Sequence, residues 1–91
     1  MSKKTITKRP VRPIHEIAAE ILKDIEAGVW AKHAAFHAAP YLAGMKQLSA
    51  LTDHYYLDSG RSVVLYFLAN AQTYRGETAR RVKAELRSML A

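Results

Sequence analysis

The sequence predicts an all-α protein: a compact bundle of four to five short helices behind a flexible basic N-terminal arm. Three observations carry that expectation. Apolar residues recur at helical spacing in several separate stretches. The one strand-like run, "VVLYFL", has no second candidate to pair with, so it reads as helix. The chain has 91 residues and no cysteine, so a single core must come from apolar packing alone. An apolar share of 49% suits such a domain and is too high for a disordered chain.

The elements follow in order. "MSKKTITKRPVRP" lacks periodicity, and Pro10 and Pro13 each push the preceding residue towards extended backbone, so residues 1–12 read as a disordered arm and 13–91 as one helical domain. Pro13 suits the first turn of a helix. Ile14, Ile17, Ala18, Ile21, Leu22 and Ile25 then form one apolar stripe, with Glu16, Glu20 and Asp24 as a solvated acidic ridge opposite and Gly28 as the C-terminal cap. The alanine-rich stretch that follows predicts a short helical piece from Trp30 to Ala38 and a helix from about Pro40 to Leu51; Pro40 either kinks one helix or separates two. "TDHYYLDSG" is a connection in which Asp58 or Ser59 caps the next helix, carried by Val63, Val64, Phe67, Leu68 and Ala71. The last helix runs from about Glu77 to Leu90, with Ala79, Val82, Leu86, Met89 and Leu90 inward.

Little in the chain points to catalysis. His33 and His37 stand one helical turn apart, but a metal site needs a third ligand and none is patterned; His15-Glu16 lacks the second histidine of a zinc-protease helix because Ala19 occupies that position. Asp53, His54, Asp58 and Ser59 bring acid, base and hydroxyl into one loop, where capping and turn formation account for Asp58 and Ser59 with less strain. No glycine-rich phosphate loop is present. The expectation is a non-enzymatic protein with no catalytic residue, no metal and no cofactor. No apolar run approaches the roughly 20 residues of a membrane span, and the N-terminus has no signal-peptide pattern, so a cytoplasmic protein without a membrane partner is expected.

Charge is the informative signal. The formal net charge is +6, and it lies at the two ends. Residues 1–12 hold Lys3, Lys4, Lys8, Arg9 and Arg12 with no acid; the C-terminal segment holds Arg75, Arg80, Arg81, Lys83 and Arg87 against Glu77 and Glu85. Such asymmetry favours polyanionic partners. The chain also carries five tyrosines and a tryptophan. Tyr55 and Tyr56 are adjacent, so both cannot easily face one core, and one is expected to be exposed or to meet a partner.

"LANAQTYRGETARRVKAEL" resembles the helix-turn-helix of bacterial regulators, in which Arg75, Glu77, Thr78 and Arg81 would face base edges while Arg80 and Lys83 meet phosphates. Thr73 holds the turn position where such motifs favour glycine, and Gly76 comes three residues later. Over a longer span, "RPIHEIAAEILKDI", "PYLAGMKQL" and "LDSGRSVVLYFLANAQTYRGETARRVKAELRSML" look like small uncharacterised all-helical proteins encoded by phages and other mobile elements. That resemblance implies a single helical domain of no assigned catalysis and supplies no site residues. The sequence therefore predicts a basic binding protein that contacts nucleic acid or a nucleoprotein through the arm and the last helix. The alternative is a phage or mobile-element inhibitor or adaptor of a host protein, such as a CRISPR effector, anchored by the same arginines with Trp30, Tyr55 and Tyr56. A homodimer pairing the acidic first helix with the basic last one is a third possibility.

Overall fold

The computed structural model describes residues 11–91; Lys3, Lys4, Lys8 and Arg9 of the predicted arm lie outside the described residues. Pro13 turns the chain into α1 (Ile14–Glu26), but no side chain caps it. Its first N–H groups are satisfied from elsewhere in the fold: Ile14 donates to the Ser49 carbonyl at 3.1 Å and His15 to the Leu48 carbonyl at 2.9 Å. Free donors at a helix start need such partners, so the segment after α2 acts as the cap. Ile14, Ile17, Ala18 and Ile21 are buried as the stripe requires, and Gly28 adopts φ +80° just beyond the helix.

From Trp30 to Ala38 the chain is less regular than its alanines suggest. It makes successive turns, with Ala35 donating to the Ala31 carbonyl and Ala39 to that of Ala35. Pro40 stands in the first turn of α2 (Ala39–Met45), so it begins a helix and kinks none. α2 stops well short of Leu51. The physical reason is competition for its backbone groups. Asp53 accepts from the Ser49 and Ala50 N–H groups at 2.8 and 3.0 Å, and those two hydrogen bonds hold its carboxyl below the usual range. The Leu48 and Ser49 carbonyls are committed to α1.

The segment read as a plain connection contains a small antiparallel hairpin of β1 (His54–Tyr55) and β2 (Asp58–Ser59), so the fold is mostly helical but not all-α. His54 pairs with Ser59 and Tyr55 with Asp58, which leaves Tyr56 and Leu57 as a two-residue tip. Tyr56 takes φ +57°, a left-handed conformation that a bulky side chain rarely adopts. Two-residue strands are too short to show alternation, and this tip lacks the Asn-Gly or Asp-Gly pair that marks such turns.

Ser59 then caps α3 (Gly60–Ala69), its hydroxyl accepting from the Ser62 N–H at 3.1 Å. "VVLYFL" is helical as expected. After the loop 70–76, α4 (Glu77–Leu90) completes the fold with Ala79, Val82 and Leu86 buried. All four helices contribute to one core in which Trp30, Phe67 and Tyr74 are the largest buried side chains. Among the described residues no helix is long and apolar enough to cross a membrane.

The hairpin joins α3 with no spare space. A Cβ at Gly60 would stand 2.8 Å from the Ala50 carbonyl oxygen and 2.9 Å from that of Leu51, backbone atoms that cannot swing away. Gly60→Ala is expected to lower stability by about 1–3 kcal/mol through this overpacking. Urea denaturation of the variant beside the wild type measures it; an unchanged midpoint would place the hairpin differently.

Candidate nucleic-acid interface

Tyr74 organises the approach to α4. Its ring is buried and stacks on Trp30, with centroids 4.7 Å apart and an interplanar angle of 13°. Trp30 meets Phe67 edge-on and donates its indole N–H to the Thr73 hydroxyl at 3.0 Å. The Tyr74 hydroxyl donates to Asp24 on α1 at 2.6 Å; burial, then this bond to a carboxylate, pushes the phenol's pKa up. Gly76 follows with φ +114° and forms the N-cap of α4, so it precedes the helix and does not interrupt it. Loop 70–76 is thus pinned to the core, and Arg75 is carried at its end.

The cations of α4 divide by helical geometry. With 100° per residue, Ala79, Val82 and Leu86 form the inward stripe, Arg81 and Glu85 fall on one side of it, and Arg80, Lys83 and Arg87 on the other. On the first side the acids of α1 are waiting. Arg81 Nη2 donates to Glu20 Oε2 at 2.6 Å, and Arg12 Nη2 donates to Glu20 Oε1 at 2.7 Å. Arg12 also grips Glu85 with both Nε and Nη2, at 2.9 and 2.7 Å. The result is an alternating chain, Glu85–Arg12–Glu20–Arg81, that straps the residue before Pro13 across α1 and α4.

Arg12 and Arg81 were expected to stand free for a partner; both are committed inside the fold, and Arg12 belongs to the folded body. The acidic ridge is likewise not solvated throughout, since Glu20 and Asp24 are both engaged. Hydrogen bonds from Arg81 and then Arg12 hold the Glu20 pKa at about 2, and Arg12 lowers that of Glu85. The pairing imagined between two copies of the chain occurs within one.

On the other side no acid answers. Arg75, Arg80, Lys83 and Arg87 line one open groove of about 570 Å³ together with Gln72, Tyr74 and Gly76. None of these four cations forms an ion pair among the described residues, and residues 1–10 contain no carboxylate side chain that could supply one. Lys83 is half-buried; its ammonium donates to the Tyr74 carbonyl and lies 5.7 Å from the centre of the Tyr74 ring. Burial lowers its pKa, and the nearby positive charges of Arg87 and Arg75 lower it further.

The other predicted contact residues stand elsewhere. Tyr55 is half-buried, its ring against Gly44, while Tyr56 is 85% exposed at the hairpin tip beside a fully exposed Leu57. Leu57 was not singled out from the sequence, because a lone leucine in a polar connection carries no pattern. His33 and His37 are both exposed, and among the described residues no group of three potential ligands could hold a metal ion. The seven-residue loop between α3 and α4 is longer than the tight turn of a helix-turn-helix, and Arg81 is paired with Glu20 of α1. Comparison with protein-family models, curated proteins and solved structures finds no match to this chain.

The ion-pair chain sets a pH dependence. Glu20 titrates at about 2 in the folded protein, against 4.5 ordinarily, so between those values the unfolded chain binds more protons. Its contribution is present above about pH 4.5 and is lost as pH falls towards about 2. Glu20→Gln should cost about 1–3 kcal/mol at neutral pH and flatten the acid limb. Denaturation midpoints across that pH range measure both; equal acid limbs for wild type and variant would remove Glu20 from the account.

Proposed function

We propose that this is a non-enzymatic polyanion-binding protein that contacts nucleic acid or a nucleoprotein through the α4 groove, with Lys3, Lys4, Lys8 and Arg9 as further phosphate contacts. One observation carries the reading: Arg75, Arg80, Lys83 and Arg87 converge on one concavity that no carboxylate lines, while Glu20 of α1 and Glu85 of α4 are paired on the opposite side of the helix. Phosphate contacts of this kind release counterions and make affinity strongly salt-dependent. Arg12 and Arg81 drop out of the binding set, because Arg12 is shared between Glu20 and Glu85 and Arg81 is paired with Glu20.

A second reading rests on the hairpin tip. A tyrosine held in a left-handed conformation, almost fully exposed beside Leu57, is the arrangement of a protein-binding anchor, and strained residues of this kind collect at functional sites. It would suit an inhibitor or adaptor from a phage or other mobile element acting on a host protein. Partners captured through the tip would survive nuclease treatment and be lost on Tyr56→Ala; partners captured through the groove would not survive it.

For the leading reading, the measurement is binding of a duplex and a single-stranded oligonucleotide across a salt series. Replacing Arg75, Arg80 and Arg87 together by alanine should reduce the slope of log K against log salt by about 3 and leave helicity intact. An unchanged slope would refute the groove as the contact surface.

A further inference from the structure

The groove is built against its own electrostatics. Lys83 is anchored by the Tyr74 carbonyl at a place where Arg75 and Arg87 already oppose its charge. Arg80 and Arg87 rise from the same helix face, one turn either side of it, and close the walls. Like charges gathered in a partly desolvated concavity repel one another in the free protein, and the attraction of each to a multivalent anion outweighs that repulsion once the anion enters. Exposed arginines elsewhere could serve solubility without this cost. The groove also has no platform on which a base could stack. Its single aromatic ring, Tyr74, is 1% exposed and stacked on Trp30, so no open face is available for base stacking. Gln72 is the one neutral polar side chain on its wall beside four cations.

We infer that the α4 groove is a discrete site for clustered phosphoryl groups, centred on Lys83, which grips phosphoryl oxygens and reads no base. This rests on the polyanion reading above and narrows it. The anchored lysine supplies a fixed point charge with ammonium protons left over after the bond to Tyr74, and the guanidinium groups add paired donors suited to phosphate. The same chemistry is offered by the adjacent phosphates of a free oligophosphate and by successive phosphates of one nucleic-acid strand.

The experiment uses the full chain and compares sodium tripolyphosphate with sodium chloride at matched ionic strength. Tripolyphosphate at about five times its dissociation constant should raise Tm by about 4–8 °C, while sodium chloride should not. Lys83→Met should raise the Tm of the free protein by relieving repulsion and abolish the response to tripolyphosphate. Arg80→Gln, at an exposed position, should weaken the response while preserving the fold, and Lys46→Met, outside the groove, should behave as wild type. Oligonucleotides of equal length and different base composition should bind within about threefold of one another and be displaced by tripolyphosphate.

If tripolyphosphate binds and oligonucleotides do not, the site stands with a free oligophosphate as its source, and nucleic acid is withdrawn. If oligonucleotides bind with an affinity that Lys83→Met and Arg80→Gln leave unchanged, the groove site is overturned while nucleic-acid binding survives through other cations. A base preference beyond about tenfold overturns the absence of base readout, and failure of both ligands removes the site and the parent reading together.

Discussion

Tyr74 ties the loop before α4 to the rest of the molecule through three separate groups. Its ring stacks on Trp30 in the core, its hydroxyl reaches Asp24 on α1, and its carbonyl holds the Lys83 ammonium. A buried tyrosine hydroxyl generally needs a hydrogen-bond partner, and a carboxylate is a strong one. Because one residue makes all three contacts, the packing of the core fixes where Arg75 leaves the loop and where Lys83 stands on the helix. Core geometry therefore sets the part of the groove at Tyr74 and Lys83, and the exposed side chains of Arg75, Arg80 and Arg87 complete it.

The second constraint is how the two charges are shared across α4. Its apolar stripe faces the core, which divides the remaining surface in two. The side towards α1 carries Arg81 and Glu85 into a four-residue ion-pair chain with Arg12 and Glu20, each charge meeting its opposite. Arg12, Glu20 and Glu85 are half-buried, where pairs are screened less than on an open surface, and the two-pronged grip of Arg12 on Glu85 adds direction to attraction. The far side keeps only cations. Neutralising one flank internally concentrates the uncompensated charge on the other.

The helix boundaries follow a related economy of backbone hydrogen bonds. α1 begins without a side-chain cap because Leu48 and Ser49 offer their carbonyls to it. Those residues cannot also extend α2, and Asp53 takes the next two N–H groups before the chain enters the hairpin. One short stretch thus ends α2, starts α1 and launches β1. The hairpin presents Tyr56 and Leu57 away from the packed helices, while Tyr55 turns back against Gly44.

Three helices were legible from apolar spacing alone, since burying one face imposes a 3.6-residue period that Ile14 to Ile25, Val63 to Phe67 and Ala79 to Leu86 all keep. Gly28, a cap from Asp58 or Ser59 and a helix from about Pro40 were legible for local reasons, each residue type suiting its backbone conformation or cap; the fold chose Ser59 and made Pro40 part of the first turn of α2. The end of α2 and the hairpin were not, because tertiary hydrogen bonds and a turn without glycine decided them. Nor was the division of the cations. Arg80 and Arg81 are neighbours of the same type, yet one lines an open groove and the other is bound to Glu20, 61 positions away. Sequence determined which residues carry charge and which faces are apolar, because those are properties of side chains and local period. Only the folded arrangement decided which charges find a partner, because electrostatic pairing depends on distance in space, and the chain brings Arg12 to Glu85 across 73 positions.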